Sequence, residues 1–194
     1  MKRTDIANLT LFLLLLSAFC ATLVSGVHSM TAPIIAEMEK NALEASYAEI
    51  YPAFDKIEQV QEFKKENGIN GILIAEKNGH PSGIIYNVTT NGYAGQIDLL
   101  LAFDIEKSKL TGAKILKQAE TPGLGANAAK PTFMDQFKQK DASKTLKIVK
   151  ATISADNEVQ AVTAATITSR AVVESINNAR THFIANYQQG VSSK

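Results

Sequence analysis

The sequence predicts an α+β domain behind a single membrane-spanning helix. Three observations carry that prediction. An uncharged apolar run stands near the N-terminus, four short β-patterned segments follow one another between turn residues, and a helix-periodic segment closes the chain. The 194 residues leave room for one domain plus an anchor.

The apolar run extends from Leu9 to Val27, with LTLFLLLLSAFCATLV at its centre. About 20 residues at 1.5 Å rise cross a bilayer core, and a core helix of a soluble protein is rarely apolar on every face. Lys2 and Arg3 precede the run, with Asp5 the single acid there. Basic residues on that side direct the N-terminus to the cytoplasm. Residues 1–30 therefore read as cytoplasmic N-terminus and retained transmembrane anchor, and residues 31–194 as a domain outside the membrane. A cleaved signal peptide ranks second, since its apolar core is usually ~7–15 residues. Lipidation of Cys20 ranks last, because the bulky Phe19 precedes it.

Thr31-Ala32-Pro33 marks a helix break or start. Ile34, Ile35, Met38, Ala42 and Ala45 then recur at helical spacing among charged residues, as in an amphipathic helix leaving the membrane. Phe54 to Phe63 reads as another short helix. Ile72–Glu76, Gly83–Thr89, Gln96–Phe103 and Leu110–Leu116 read as successive antiparallel strands. Asn78-Gly79 and Thr90-Asn91-Gly92 supply the first two turns. A short helix is expected around Phe133–Phe137 and a strand at Thr145–Val149. A final helix runs from Ile167 to Tyr187, with Val172, Val173, Ile176, Ala179, Phe183 and Tyr187 along one face. The residues after Gln189 read as a frayed tail.

Composition excludes several functions. The formal net charge of +1 gives no footprint for nucleic acid. One cysteine, Cys20, cannot build a disulfide framework, a thiolate zinc site or an iron–sulfur cluster. His28, His80 and His182 lack metal-ligand spacing. No nucleophile–base pair or proton-transfer dyad is evident, so no catalytic residue is assigned and the chain reads as lacking independent catalysis.

Two segments carry the chemistry. Glu120-Thr121-Pro122-Gly123-Leu124-Gly125 follows the fourth strand. Pro122 fixes φ for a turn, and the glycines accept φ > 0 and leave backbone N–H groups open to a planar ligand. On spacing alone, a plain strand-to-helix loop is the favoured reading, because Pro-Gly loops are common. Thr163-Ala164-Ala165-Thr166-Ile167-Thr168-Ser169-Arg170 stands where the last helix begins. Hydroxyls at that place cap free N–H groups, and one suffices. Four hydroxyls plus Arg170 exceed that need, and a helix start favours phosphate.

In this order the two segments resemble the FMN-binding domain of the G subunit of Rnf-type electron-transport complexes. They also resemble its relative, the C subunit of the sodium-pumping NADH:quinone reductase. Asn91-Gly92-Tyr93-Ala94-Gly95-Gln96-Ile97 is similar to that family's segment before its central strand, and Phe133, Gln136 and Phe137 match a further motif. The likeness covers roughly residues 5–185. Two departures stand out: Ala164 replaces the usual glycine, and Gln160 stands where an acid is common.

The resemblance implies an antiparallel-sheet FMN-binding domain with flanking helices, with FMN joined to Thr166 as a phosphoester by a flavin transferase. It implies cofactor contacts from Thr163, Ala164, Ala165, Thr168, Glu120, Thr121, Gly123, Leu124 and Gly125. It further implies a redox subunit of a ferredoxin:NAD oxidoreductase that moves ions across the inner membrane, beside membrane and peripheral subunits. The alternatives are a stand-alone anchored flavoprotein outside the cytosol that feeds a reductase, and an anchored binding domain with no redox role.

Overall fold

The computed structural model describes residues 3–188. Lys2, the side chains of Arg3 and Asp5, and the tail after Gln189, on which the expected orientation and fraying rest, lie outside the described residues and side chains. Two compact units divide the chain, Met1–Glu44 and Ala45–Lys194.

The first unit is helical. Helix α1 runs without interruption over Arg3–Ile50, and from Asn8 onward it is long and apolar enough to cross a membrane. Leu11, Phe12, Leu15, Phe19 and Leu23 are all exposed to the surroundings, which suits a lipid environment rather than a protein core. Pro33 neither starts nor breaks this helix but sits inside it. It deletes one i→i−4 bond, which costs about 3 kcal/mol in a helix interior. The turns before it continue, with Ser29 and Thr31 hydroxyls folded onto the Ser25 and Val27 carbonyls. The expected amphipathic helix from Ile34 is therefore the continuation of α1.

The second unit is built on one antiparallel meander. Strands β1 (Lys56–Gln59), β2 (Ile69–Lys77), β3 (His80–Asn91), β4 (Gln96–Asp104), β5 (Lys109–Gln118) and β6 (Lys140–Asp141) lie in chain order across the sheet. The expected α+β class and the four central strands stand. The segment Phe54–Phe63 is a correction: it contains strand β1, not a helix. Ile57 pairs with Ala75 at the sheet edge, and ladder bonding outweighs an ambiguous apolar spacing. The Asn78-Gly79 turn has positive φ at both residues, 53° and 75°, the geometry that lets a two-residue loop follow strand twist.

Beyond the meander come helix α2 (Pro131–Met134), a 3₁₀ turn over Asp135–Phe137, and a parallel pair, β7 (Lys147–Val149) with β8 (Glu158–Gln160). Helix α3 (Thr166–Phe183) ends the described fold with a π turn at Ile184–Gln188.

Both faces of β4 are covered. Ile97, Leu99, Leu101 and Phe103 join one cluster with Val172, Val173, Ile176, Ala179 and Phe183 of α3. On the other face Gly83 and Gly112 leave room for the C-terminal end of α1. A Cβ on Gly83 would lie 2.6 Å from the Tyr51 ring, and one on Gly112 would lie 3.0 Å from the Ile50 carbonyl. Helix α3 is tied down at several points. Asn177 accepts from the Leu146 N–H at 2.9 Å and donates to its carbonyl at 3.0 Å. Near its far end, the buried Tyr86 hydroxyl lies 3.0 Å from His182 Nδ1. This anchoring fixes where the helix begins, and the site is at that beginning.

Candidate functional site at the start of helix α3

Two turns of similar make-up meet beside the N-terminus of α3. In Thr121-Pro122-Gly123-Leu124 the Leu124 N–H donates to the Thr121 carbonyl at 3.1 Å, with φ +80° at Gly123. In Val162-Thr163-Ala164-Ala165 the Ala165 N–H donates to the Val162 carbonyl at 3.0 Å, with φ +60° at Ala164. A turn with positive φ at its third residue favours glycine there. The first turn has one and the second does not, so Ala164 holds a left-handed conformation with a methyl group attached. Ala164→Gly is expected to raise unfolding stability by up to ~1 kcal/mol, measured by urea denaturation of the purified protein. A decrease would show that the methyl contributes more through packing than it costs through strain.

A cavity of about 430 Å³ opens between these turns, lined by Tyr93, Glu120, Thr121, Leu124, Gly125 and Ala164–Thr168. Thr166 is the first residue of α3, half-buried on the cavity wall. The N-cap is Ala165, and no side chain caps the helix. The four hydroxyls thus divide. Ser169 bonds the Ala165 carbonyl and the Val162 N–H, each at 2.9 Å, and Thr168 bonds Glu120. Thr163 is exposed and lines an adjoining groove with Gly123, Asn127, Lys130 and Gln136. Leu124 and Ala164 border both spaces.

Glu120 is buried at the base of the cavity. One carboxylate oxygen accepts from the Ala94 N–H at 2.8 Å, and the other from the Thr168 hydroxyl at 2.7 Å. Burial pushes its pKa up. The bonds from Thr168 and from the Ala94, Tyr93 and Gly95 N–H groups outweigh that and hold it below the ordinary carboxylate value. A group depressed in this way stabilises the fold fully above its unfolded pKa. That contribution disappears as pH falls through the folded value. The domain is therefore expected to lose thermal stability below about pH 4, and Glu120→Gln to flatten that part of the pH profile. A variant with an unchanged acid limb would place the acid sensitivity elsewhere.

Gly125 has a different task from Gly123. A Cβ there would collide with the Glu120 carboxylate and the Thr168 hydroxyl, so its hydrogen atom is what admits the Glu120–Thr168 bond. Gly92 is bare for the same reason, against Glu120 and Ile97. Gln160, where an acid is common in the family it resembles, is exposed. Its backbone N–H and carbonyl are held by the Gln136 side chain at 2.7 and 3.2 Å. Sequence reasoning left Tyr93 and Ile167 off the site. The Asn91–Ile97 segment is the signal for Tyr93, and Ile167 lies within the Thr163–Arg170 segment, between Thr166 and Thr168.

The family model for the FMN-binding domain matches residues 92–181. Those residues carry both turns, the cavity and nearly all of α3. The chain is also similar to the G subunit of the Na(+)-translocating ferredoxin:NAD(+) oxidoreductase complex of Acetobacterium woodii. The two are 33% identical over 183 residues, 88% of this chain and 87% of that protein. This chain belongs to that G-subunit family. The G subunit of the proton-translocating ferredoxin:NAD(+) oxidoreductase complex of Clostridium ljungdahlii is 33% identical over 81% of this chain and 80% of its own length. The G subunit of the ion-translocating oxidoreductase complex of Methanosarcina acetivorans is 27% identical over 90% and 93%.

Among solved structures, the C subunit of the Na(+)-translocating NADH-quinone reductase from Parabacteroides distasonis superposes with a TM-score of 0.53 at 26% identity. The match covers 73% of this chain and 80% of that one. NqrC of Shewanella oneidensis gives 0.56 at 17% identity over 75% and 74%, a likeness of fold. This G-family protein thus combines an N-terminal membrane-type helix, a six-stranded antiparallel sheet and an FMN-binding domain. The cavity fits a flavin on three counts. Its volume lies within the usual ~300–1,000 Å³ of cofactor sites, its mouth is apolar, and it meets an uncapped helix start.

Proposed function

We propose that this chain is the electron-transfer subunit of a membrane-bound, ion-translocating ferredoxin:NAD oxidoreductase, and that it carries FMN as a phosphoester on Thr166. The observation that carries the reading is the setting of Thr166. Its hydroxyl stands at the first position of a helix whose N-terminus has no side-chain cap, on the wall of a flavin-sized cavity. Open N–H groups and the positive end of the helix macrodipole favour a phosphate there. Thr166 and Ala165 meet the phosphate end of the ligand. Thr121, Leu124 and Gly125 form the opposite wall, Glu120 and Thr168 brace the floor, and Thr163, Ala164 and Gly123 line the adjoining groove. When bound, FMN supplies the redox chemistry, and the domain supplies attachment, orientation and shielding.

Residues 1–30 then anchor the chain in the cytoplasmic membrane with the N-terminus inside, and residues 31–194 form the FMN domain outside. A flavin transferase makes the ester from FAD, the Thr166 oxygen displacing AMP at the FMN phosphate, and other membrane and peripheral subunits pass electrons to and from this one. Purification of tagged protein from its native membrane in mild detergent tests the whole reading. The expected preparation contains partner subunits, transfers electrons from ferredoxin to NAD, and yields a Thr166 peptide heavier by FMN less one water. A chain that arrives alone and reduces a soluble acceptor at a high rate is instead a stand-alone flavoprotein.

A further inference from the structure

We propose that Glu120 is a positioning residue for the flavin: its carboxylate ties the Tyr93 loop to the first turn of α3, so that the Tyr93 ring lies against the isoalloxazine of the group on Thr166. This rests on the Thr166 reading above.

The argument starts from exposure. Among the described residues of the second unit, the exposed large apolar side chains are Tyr93, Leu124, Ile153 and Ile167. Three of them line the same cavity. Tyr93 is 75% exposed, Ile167 58% and Leu124 44%. A planar apolar ligand at that mouth would remove this surface from water, and an aromatic ring gains further from stacking. Ile153, the fourth, is not part of the lining.

The backbone of Tyr93 is held from two directions. Its loop spans only Gly92–Gly95, closed by the Asn91–Gln96 pair and by the Gly92 N–H on the Gly95 carbonyl at 2.8 Å. From below, Glu120 takes the Ala94 N–H, with added support from those of Tyr93 and Gly95. The second oxygen of the same carboxylate takes the Thr168 hydroxyl, two residues beyond Thr166. One side chain therefore sets the spacing between Tyr93 and the attachment point. Glutamine can keep both ties, since its amide oxygen accepts from the Ala94 N–H and its NH₂ donates to the Thr168 hydroxyl, which also accepts; alanine removes both.

Flavin fluorescence of the loaded protein tests the idea. A phenol in contact with an excited flavin gives it an electron and takes it back without emission. Phenylalanine fills the same space but is a far poorer donor. Tyr93→Phe should therefore raise the fluorescence yield several-fold, and Tyr93→Trp should leave it quenched. Glu120→Ala should raise the yield towards that of Tyr93→Phe. In protein without flavin it should also speed amide exchange at Tyr93–Gly95. Yields unchanged in both Tyr93→Phe and Glu120→Ala would overturn the proposal. Should Glu120→Ala fail to fold, the Tyr93 pair still decides, because that side chain is exposed. The mass of the Thr166 peptide is read on every variant. Flavin on Thr166 with unaltered yields sinks this inference alone, whereas flavin absent from Thr166 in the native protein sinks the reading beneath it.

Discussion

Thr166→Ala is expected to abolish covalent flavin outright while leaving the domain folded. The native protein should fluoresce in a denaturing gel and the variant should not. The loss is complete because an ester needs the hydroxyl oxygen, and no other hydroxyl at the start of α3 is placed to stand in. Thr168 and Ser169 are buried and engaged with Glu120, Ala165 and Val162, and Thr163 faces the adjoining groove. The fold should survive because Thr166 does not cap α3 and is only half-buried. Its removal should shift stability by less than about 0.5 kcal/mol. Fluorescence persisting in the variant gel would reassign the attachment site.

Phe183→Ala is expected to cost about 3–5 kcal/mol of folding stability. Phe183 is fully buried and stacks on Phe103 with ring centroids 4.9 Å apart, and Phe103 in turn meets the edge of Tyr86 at 5.8 Å. Alanine leaves a ring-sized void among groups fixed by β3 and β4. Small domains have only about 5–15 kcal/mol in total, so the variant should unfold at much lower denaturant. Ile153→Ala, an exposed control, should stay within about 0.5 kcal/mol of the parent. A loss for Phe183→Ala no larger than the control's would mean that α3 does not hold the sheet as described.

What was legible in the sequence follows the strength of its periodic signals. Val172, Ile176, Ala179 and Phe183 recur at helical spacing, and all are buried in α3. Asn78-Gly79 marks a hairpin because few other residue pairs accept positive φ twice over. Strand β1 was read as helix because four residues, Lys56 to Gln59, carry a single apolar side chain, too little for either period to show. Strand β8 is three residues long and contributes only Val159 to the core, and it pairs in parallel with β7, so no hairpin or alternation pattern announces the pair. Pro33 suggested a break, but an apolar helix of this length absorbs one missing bond.

At the site, Glu120 to Gly125 and Thr163 to Thr168 were visible as motifs. The bond that joins them was not. Glu120 and Thr168 are 48 positions apart, and side-chain contacts at such separations leave no periodicity in a chain. Nor did the sequence show that the two unusual turns share one conformation. That similarity is a matter of φ at Gly123 and Ala164, and one of the two is not a glycine.

The meander has a consequence for the order in which the domain takes shape. Each strand from β2 to β5 pairs with the one made just before it, so hairpins can close one after another as a chain is synthesised from its N-terminus. Helix α3 cannot take part until the end, since the Tyr86–His182 contact reaches back across 96 residues. Its first turn is set only when that long loop closes and Glu120 finds Thr168. Any enzyme that must recognise the shape around Thr166 therefore meets it only on a finished domain, and a chain stalled before this last closure presents it with no substrate.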